Sequence, residues 1–159
     1  ANVGIAIHYS GTVSAAREAA LYGIPAIAVS INAFNVRHYD TAADFSRYLA
    51  ERLHQTPLPF GVFLNVNVPD LPPDRIEGVR VSRQGIAQIS EYFEKRVDPR
   101  DRPYHWLGSD IQTFDGDMDI DWTALSRNHI SVTPIQCDIT DHRLLETLKG
   151  WELESPSAE

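Results

Sequence analysis

Near the start of the chain, Ser10-Gly11-Thr12 stands where residue types and spacing suit the binding of a small anion. Before it, Ile5, Ile7 and Tyr9 recur at every second position; after it, Val13, Ala16, Ala20 and Leu21 fall at helical spacing as far as Gly23. The pattern predicts a short strand, a tight turn and an Ala-rich helix. The first turn of such a helix carries backbone N–H groups without intrahelical acceptors, and the macrodipole leaves them partly positive. Glycine at position 11 lets a ligand approach the backbone, while the hydroxyls of Ser10 and Thr12 either donate to an anion or cap the helix. Both uses stay open on these residues: a pocket for phosphate or carboxylate, or a structural cap of the kind common in α/β proteins without ligands.

Several other chemistries are excluded by pattern. The histidines at positions 8, 38, 54, 105, 129 and 142 form no HExxH pair and no other close metal spacing. There is no GxSxG elbow, and the Ser-Gly-Thr turn lacks the lysine of a P-loop. Asp115-Gly-Asp-Met-Asp-Ile-Asp121 has the rhythm of a calcium loop, but Ile120 and Ser126 stand where an EF-hand needs glycine and glutamate. These carboxylates read as a solvated loop, with Asp119 or Asp121 capping a short helix through Trp122 and Leu125. No catalytic residue and no metal ligand is assigned within the chain.

The elements that must position the turn follow in order. Gly23 suits a helix C-cap, Ile24-Pro25 forces extension, and Ala26 to Ser30 reads as a buried strand, giving a βαβ crossover with parallel neighbours. Asn32 to Asp40 form a polar loop at the carboxyl end of that strand, where α/β folds place ligands. Asp40 or Thr41 starts a helix whose Phe45, Tyr48, Leu49 and Leu53 share a face, ended by Pro57 and Pro59. Phe60 to Val68 is too apolar for a half-exposed strand and is expected at the centre, covered on both faces; Asn65 and Asn67, at its far end, line a site or bond the neighbouring loop. Beyond Gly78 the sequence predicts polar strands and a long hairpin arm over 83–107. Its Tyr92, Phe93, Tyr104 and Trp106 require burial against another subunit, or else against the arm's own domain. Asn128 is suited to ending the short helix, Ile130 to Pro134 forms another strand, and Leu144, Leu145 and Leu148 mark a last amphipathic helix. Residues 152–159 look frayed.

A chain of 159 residues with 43% hydrophobic and 23% charged residues suits one globular domain. A formal net charge of −8 argues against binding nucleic-acid polymers, though not against a single nucleotide. The single cysteine, Cys137, excludes an internal disulfide and fits a reducing compartment. Without an apolar run long enough for a membrane span or a signal-peptide pattern, the expected location is cytoplasmic, with no membrane partner.

Several motifs in register carry a specific resemblance. Asn2-Val-Gly4, Tyr9-Ser-Gly-Thr-Val13, Ala15-Ala16, Gly23-Ile-Pro-Ala-Ile-Ala-Val-Ser30 and Leu64-Asn-Val-Asn-Val-Pro69 come first. Ser82-Arg-Gln84, Arg96-Val-Asp-Pro-Arg100, Tyr104-His-Trp-Leu107 and Ile130-Ser-Val-Thr-Pro-Ile135 follow in the same order. Together they resemble the survival protein SurE family of nucleotidases over essentially the whole chain.

The resemblance implies an α/β fold with a Rossmann-like parallel-sheet core, incomplete at the N-terminus, and a protruding β-hairpin arm, all within one domain over 1–159. It implies a metal-dependent phosphohydrolase acting on nucleoside 5′- and 3′-monophosphates, with polyphosphate as a further substrate. The family's Mn2+ or Mg2+ is held by an Asp-Asp pair, a serine and an asparagine that would lie upstream of Ala1. Asn2, Ser10, Gly11 and Thr12 correspond to its phosphate-contacting residues, and its protomers exchange the arm in a dimer or tetramer. Without the metal ligands this fragment is expected to be inactive alone, or to serve as a non-catalytic oligomerisation or anion-binding module. Local departures from the family's pattern are Ala19, Asp101 in place of a turn glycine, and Asn128-His129.

Overall fold

A computed structural model describes residues 1–86, 89–111, 116–151 and 153. Its sheet is built around β2 (Val62–Val68), which pairs in parallel with β1 (Ile27–Ile31) and antiparallel with β6 (Ile130–Gln136). β3 (Val79–Val81) adds in parallel to the far side of β6, giving the order β1-β2-β6-β3. The fold is thus α/β with a mixed sheet. Its parallel crossover runs from β1 through α2 (Tyr39–Gln55) to β2.

The period-2 pattern of β2 divides the core. Val66 and Val68, with Ile130 and Val132 of β6, are buried against Ala42, Phe45 and Leu49 of α2. On the opposite face Phe63 and Ala28 meet Val13, Ala16 and Ala20 of α1 (Gly11–Leu21), joined by Ile7. Covering on both faces explains why β2 is so apolar, as its sequence predicts. The same second face turns polar towards the carboxyl end of β2, where Asn65 lies opposite Thr133 and Asn67 opposite Ser131.

The expected first strand is absent. Gly4–His8 forms a 3-10 turn in which Ile7 is buried while Tyr9, just beyond, is 84% exposed. Alternation over five residues does not distinguish one sheet face from such a turn. The backbone decides it: Gly4 has φ +57°, and a Cβ there would lie 3.2 Å from the Gly85 carbonyl oxygen. Other local signals hold. Gly23 follows α1 at φ +73°, and Asn128, at φ +60°, ends α3 (Asp121–Ser126). α2 starts without the expected side-chain cap from Asp40 or Thr41.

A separate antiparallel pair, β4 (Ile89–Val97) and β5 (Pro103–Ile111), forms the arm. It starts later than position 83, because Arg83 still belongs to the body through a parallel bridge to Ile120. Among the described residues the two strands pack on each other and make no comparable contact with any element of the body. Phe93 is 69% exposed and Trp106 54%, with Arg96 stacked 5.0 Å from the Trp106 ring centre. Folding back on the arm's own domain therefore does not bury these aromatics. α4 (His142–Lys149) follows β6, capped by Asp141, whose carboxylate accepts from the amides of Arg143 and Leu144. Among the described residues no helix is long and apolar enough to cross a membrane.

Candidate functional site

The four sequence-predicted site residues fall at the carboxyl end of β1 and β2, on the face that carries α1. Ser10 is the N-cap of α1, and its Oγ accepts from the Val13 amide at 3.1 Å. The hydroxyl is nearly buried, but capping uses only an acceptor lone pair and leaves its O–H to donate. The structural reading of Ser10 is therefore correct and does not compete with the other. Gly11 and Thr12 are exposed, and as the first residues of α1 their amides have no acceptor within the helix. Apart from its chain neighbours and its own helix backbone, no atom of the described residues lies within 4 Å of where a Cβ on Gly11 would stand. Nothing in the chain itself demands glycine there; open space over two free amides suits an outside anion.

Asn2 joins this region through bonds the sequence did not foretell. Its side-chain amide donates to Ser30 Oγ at 2.6 Å, and its backbone N–H donates to Asn67 Oδ1 at 2.7 Å. Its carbonyl accepts from Asn65 Nδ2 at 2.8 Å and Asn67 Nδ2 at 3.0 Å. Of the two fates open to Asn65 and Asn67, bonding the neighbouring segment is the one observed. Beside them Ser82 Oγ shares hydrogen bonds of 2.8 Å with both Ser131 Oγ and Thr133 Oγ1.

Asp121 is the residue that sequence reasoning placed least well. Expected in a solvated loop, it is completely buried. Its carboxylate accepts from the amides of Gly4 (2.7 Å), Gly85 (3.0 Å) and Trp122 (2.8 Å), tying the N-terminal turn to the segment before the arm and to α3. Gln84 reinforces the tie by donating from Nε2 to the Gly4 carbonyl at 3.1 Å. The available signal was period 2: Asn65 with Asn67 and Ser131 with Thr133 share one sheet face, forming a polar stripe that something must satisfy. For Asp121 the local signal, a carboxylate at the start of a short helix, foretold the bond from Trp122 but not those from Gly4 and Gly85.

The polar loop after β1 borders the same end of the sheet. Asp70, just past β2, accepts from the amides of Arg37 (3.0 Å) and His38 (2.8 Å). Desolvation pushes its carboxyl upward, but the His38 and Arg37 amides outweigh that and hold it below the ordinary value.

Comparison with known proteins decides the family. The family described as Survival protein SurE matches residues 1–91. The chain belongs to the SurE family. It is 54% identical over 155 residues to the 5′-nucleotidase SurE of Desulfatibacillum aliphaticivorans, covering 98% of this chain and 61% of that protein. The 5′-nucleotidase SurE of Syntrophobacter fumaroxidans is 47% identical over 153 residues, covering 96% and 61%. The crystal structure of the SurE protein from Aquifex aeolicus superposes with a TM-score of 0.79 at 31% identity, covering 96% of this chain and 61% of that one. The chain thus has a SurE-like fold and spans about 61% of the length of these SurE relatives.

The divalent ion that SurE membership brings into question does not fit the described residues. Among them no three His, Cys, Asp or Glu side chains come together. Asp121 accepts from three backbone amides, and among the described residues no group of further ligating side chains joins its carboxylate. What the described residues do offer is hydrogen-bond donors: the amides of Gly11 and Thr12, two hydroxyls, and the remaining N–H of Asn2.

Proposed function

We propose that this chain is the phosphate-holding part of a SurE-type phosphohydrolase that releases phosphate from nucleoside 5′- and 3′-monophosphates, with polyphosphate as a further substrate. The observation that carries the reading is the open first turn of α1, where Gly11 and Thr12 present unused amides beside the Ser10 cap. Their role is to bind and orient the phosphoryl oxygens, with Asn2 donating from the side. A helix N-terminus stabilises such an anion through hydrogen bonds and the macrodipole. Family membership, shown independently of this geometry, supports the substrate class. The Mn2+ or Mg2+ of the reaction is assigned to residues outside this chain, since the described side chains do not form its site.

The exposed aromatics of the arm support a homo-oligomer in which each arm packs on a second copy. The same aromatics favour a second reading, a non-catalytic oligomerisation or anion-binding module, because they need a partner whether or not chemistry occurs.

Two measurements separate these readings. Titration with inorganic phosphate should shift the amide resonances of Gly11 and Thr12; unshifted resonances remove the phosphate site. With Mn2+ and adenosine 5′-monophosphate, the chain alone should turn over far below the order of 1 s⁻¹ usual for enzymes. Supplying the remainder of a SurE protein should raise the rate to that range. A chain that binds phosphate but gains no activity with the remainder is the non-catalytic module.

A further inference from the structure

We infer that Asn65 and Asn67 are positioning residues: buried side chains that hold Asn2 in register with the first turn of α1 and so set the geometry in which phosphate is gripped. The inference rests on the phosphate reading above but assigns a role to two residues that do not touch the ligand.

The argument begins with what a central strand ordinarily contains. Asparagine is disfavoured in strands, and a buried side-chain amide is costly unless its hydrogen bonds are made. Yet β2 carries two asparagines, both with 0% exposure, alternating with Leu64, Val66 and Val68 on the other face. Among the described residues every side-chain hydrogen bond they make goes to one residue, Asn2: three bonds to its backbone N–H and carbonyl. Asn65 Oδ1 is buried without any partner, so part of the cost is left standing. Neither side chain has surface for a ligand, so their effect passes through Asn2. With its backbone clamped at both polar atoms and one side-chain N–H on Ser30, Asn2 keeps a second N–H to donate. The adjoining residues lead through the Gly4–His8 turn directly to Ser10. Position, in a site made of donors to a small anion, decides affinity.

The test titrates inorganic phosphate into the full 159-residue chain while following the Gly11 and Thr12 amides, with urea unfolding alongside. Valine fits a central strand, so Asn67→Val and Asn65→Val remove the clamp while keeping the fold. Asn67→Val, which loses two bonds, should raise the phosphate Kd roughly fivefold or more, and Asn65→Val, which loses one, by less. The deciding measurement is a double-mutant cycle. In an Asn2→Ala background, Asn67→Val should cause little further loss, because the group being positioned is gone. Additive losses, or an unchanged Kd in a folded Asn67→Val, overturn the inference. If Asn67→Val does not fold, the same cycle with Asn65→Val decides by the same criteria. A wild-type chain whose amides ignore phosphate overturns the phosphate reading, and this inference with it. A wild-type chain that binds while the clamp variants bind equally well overturns the inference alone.

Discussion

At the carboxyl end of β2 the polar side chains are buried and bonded to the backbone of distant segments, whereas along 92–97 and 103–107 of the arm polar and aromatic side chains alike stand in water. Asp121 serves three amides from three parts of the chain, and Asn67 satisfies both polar atoms of Asn2's backbone. The arm's ion pairs are short-range: Arg96 reaches Glu94 two residues away, and Arg102 reaches Asp98 four away. A buried bond is unscreened and leaves a costly orphan when broken; an exposed pair contributes little. The difference teaches where rigidity is located. The body holds the Ser10-Gly11-Thr12 turn from beneath, while the arm, among the described residues, is organised by strand pairing and lacks a covering surface.

The largest effect that would sharpen this contrast is expected at Asp121. Asp121→Ala leaves the amides of Gly4, Gly85 and Trp122 without their acceptor and should lower unfolding free energy by about 3–5 kcal/mol in urea titrations. A loss under about 1 kcal/mol would mean that water or a rearranged backbone takes over those bonds.

Next comes the arm. Replacing residues 91–104 by a glycine bridge should leave the urea midpoint of the body almost unchanged. Light scattering should show the proposed oligomer reduced to monomers. A dimer surviving the deletion would move the interface elsewhere, and a body that unfolds would abolish the separation drawn here.

Within the arm, Tyr92 lies over Gly108 so closely that a Cβ at 108 would meet its ring at 2.4 Å. Gly108→Ala must displace that ring, and a cost of about 1–2 kcal/mol to arm stability is expected, read as faster amide exchange in β4 and β5. Equal exchange in the variant would show the ring already mobile.

A smaller and opposite change is expected at Asp101, whose φ of +60° places it in the left-handed region. Asp101→Gly should stabilise the arm's turn by a few tenths of a kcal/mol, about 0.5 at most, since glycine relieves strain but frees the unfolded chain. The resemblance to a family with glycine here agrees with that direction.

The smallest effect concerns Asp138, before α4. Hydrogen bonds from Thr140, and then from His142, hold its carboxyl down from 3.8 to about 2. A depressed carboxyl contributes stability above its unfolded value, and that contribution is lost as pH falls through the folded one. Amide protection in the first turn of α4 should therefore decline between roughly pH 4 and pH 2. A carbon-detected titration of Asp138 with a midpoint near 4 would refute this.

Legibility followed the range of the interactions. β1, β2, β6, α1 and α2 were readable because hydrophobic period and helix-ending residues such as Gly23 and Asn128 act over a few positions. The run Ile5 to Tyr9 misled because its alternation is short and its conformation is set by Gly4, whose amide is held by Asp121. The turn at Ser10-Gly11-Thr12 was visible, but what seats it was not. Asn65 and Asn67 were recognised as polar residues in a strand, while their common partner lay more than sixty residues away. Asp121 looked like one of several loop carboxylates suited to capping α3, because the amides of Gly4 and Gly85 that it also serves lie 117 and 36 positions away.

The bond between Gly4 and Asp121 spans 117 positions, and it has a consequence for the order in which the molecule acquires its parts. Helix α1 and the β4–β5 hairpin close over short stretches of chain and are able to form early, but the seat beneath the Ser10-Gly11-Thr12 turn requires residues 117 positions apart to have come together. Loop-closure entropy and contact order place such long-range contacts late. During synthesis, a chain not yet extended past Asp121 has the Ser-Gly-Thr motif and its helix without the bond that fixes their approach. The competence to grip phosphate that we propose would thus be acquired at the end of folding, as a property of the completed fold rather than of the motif.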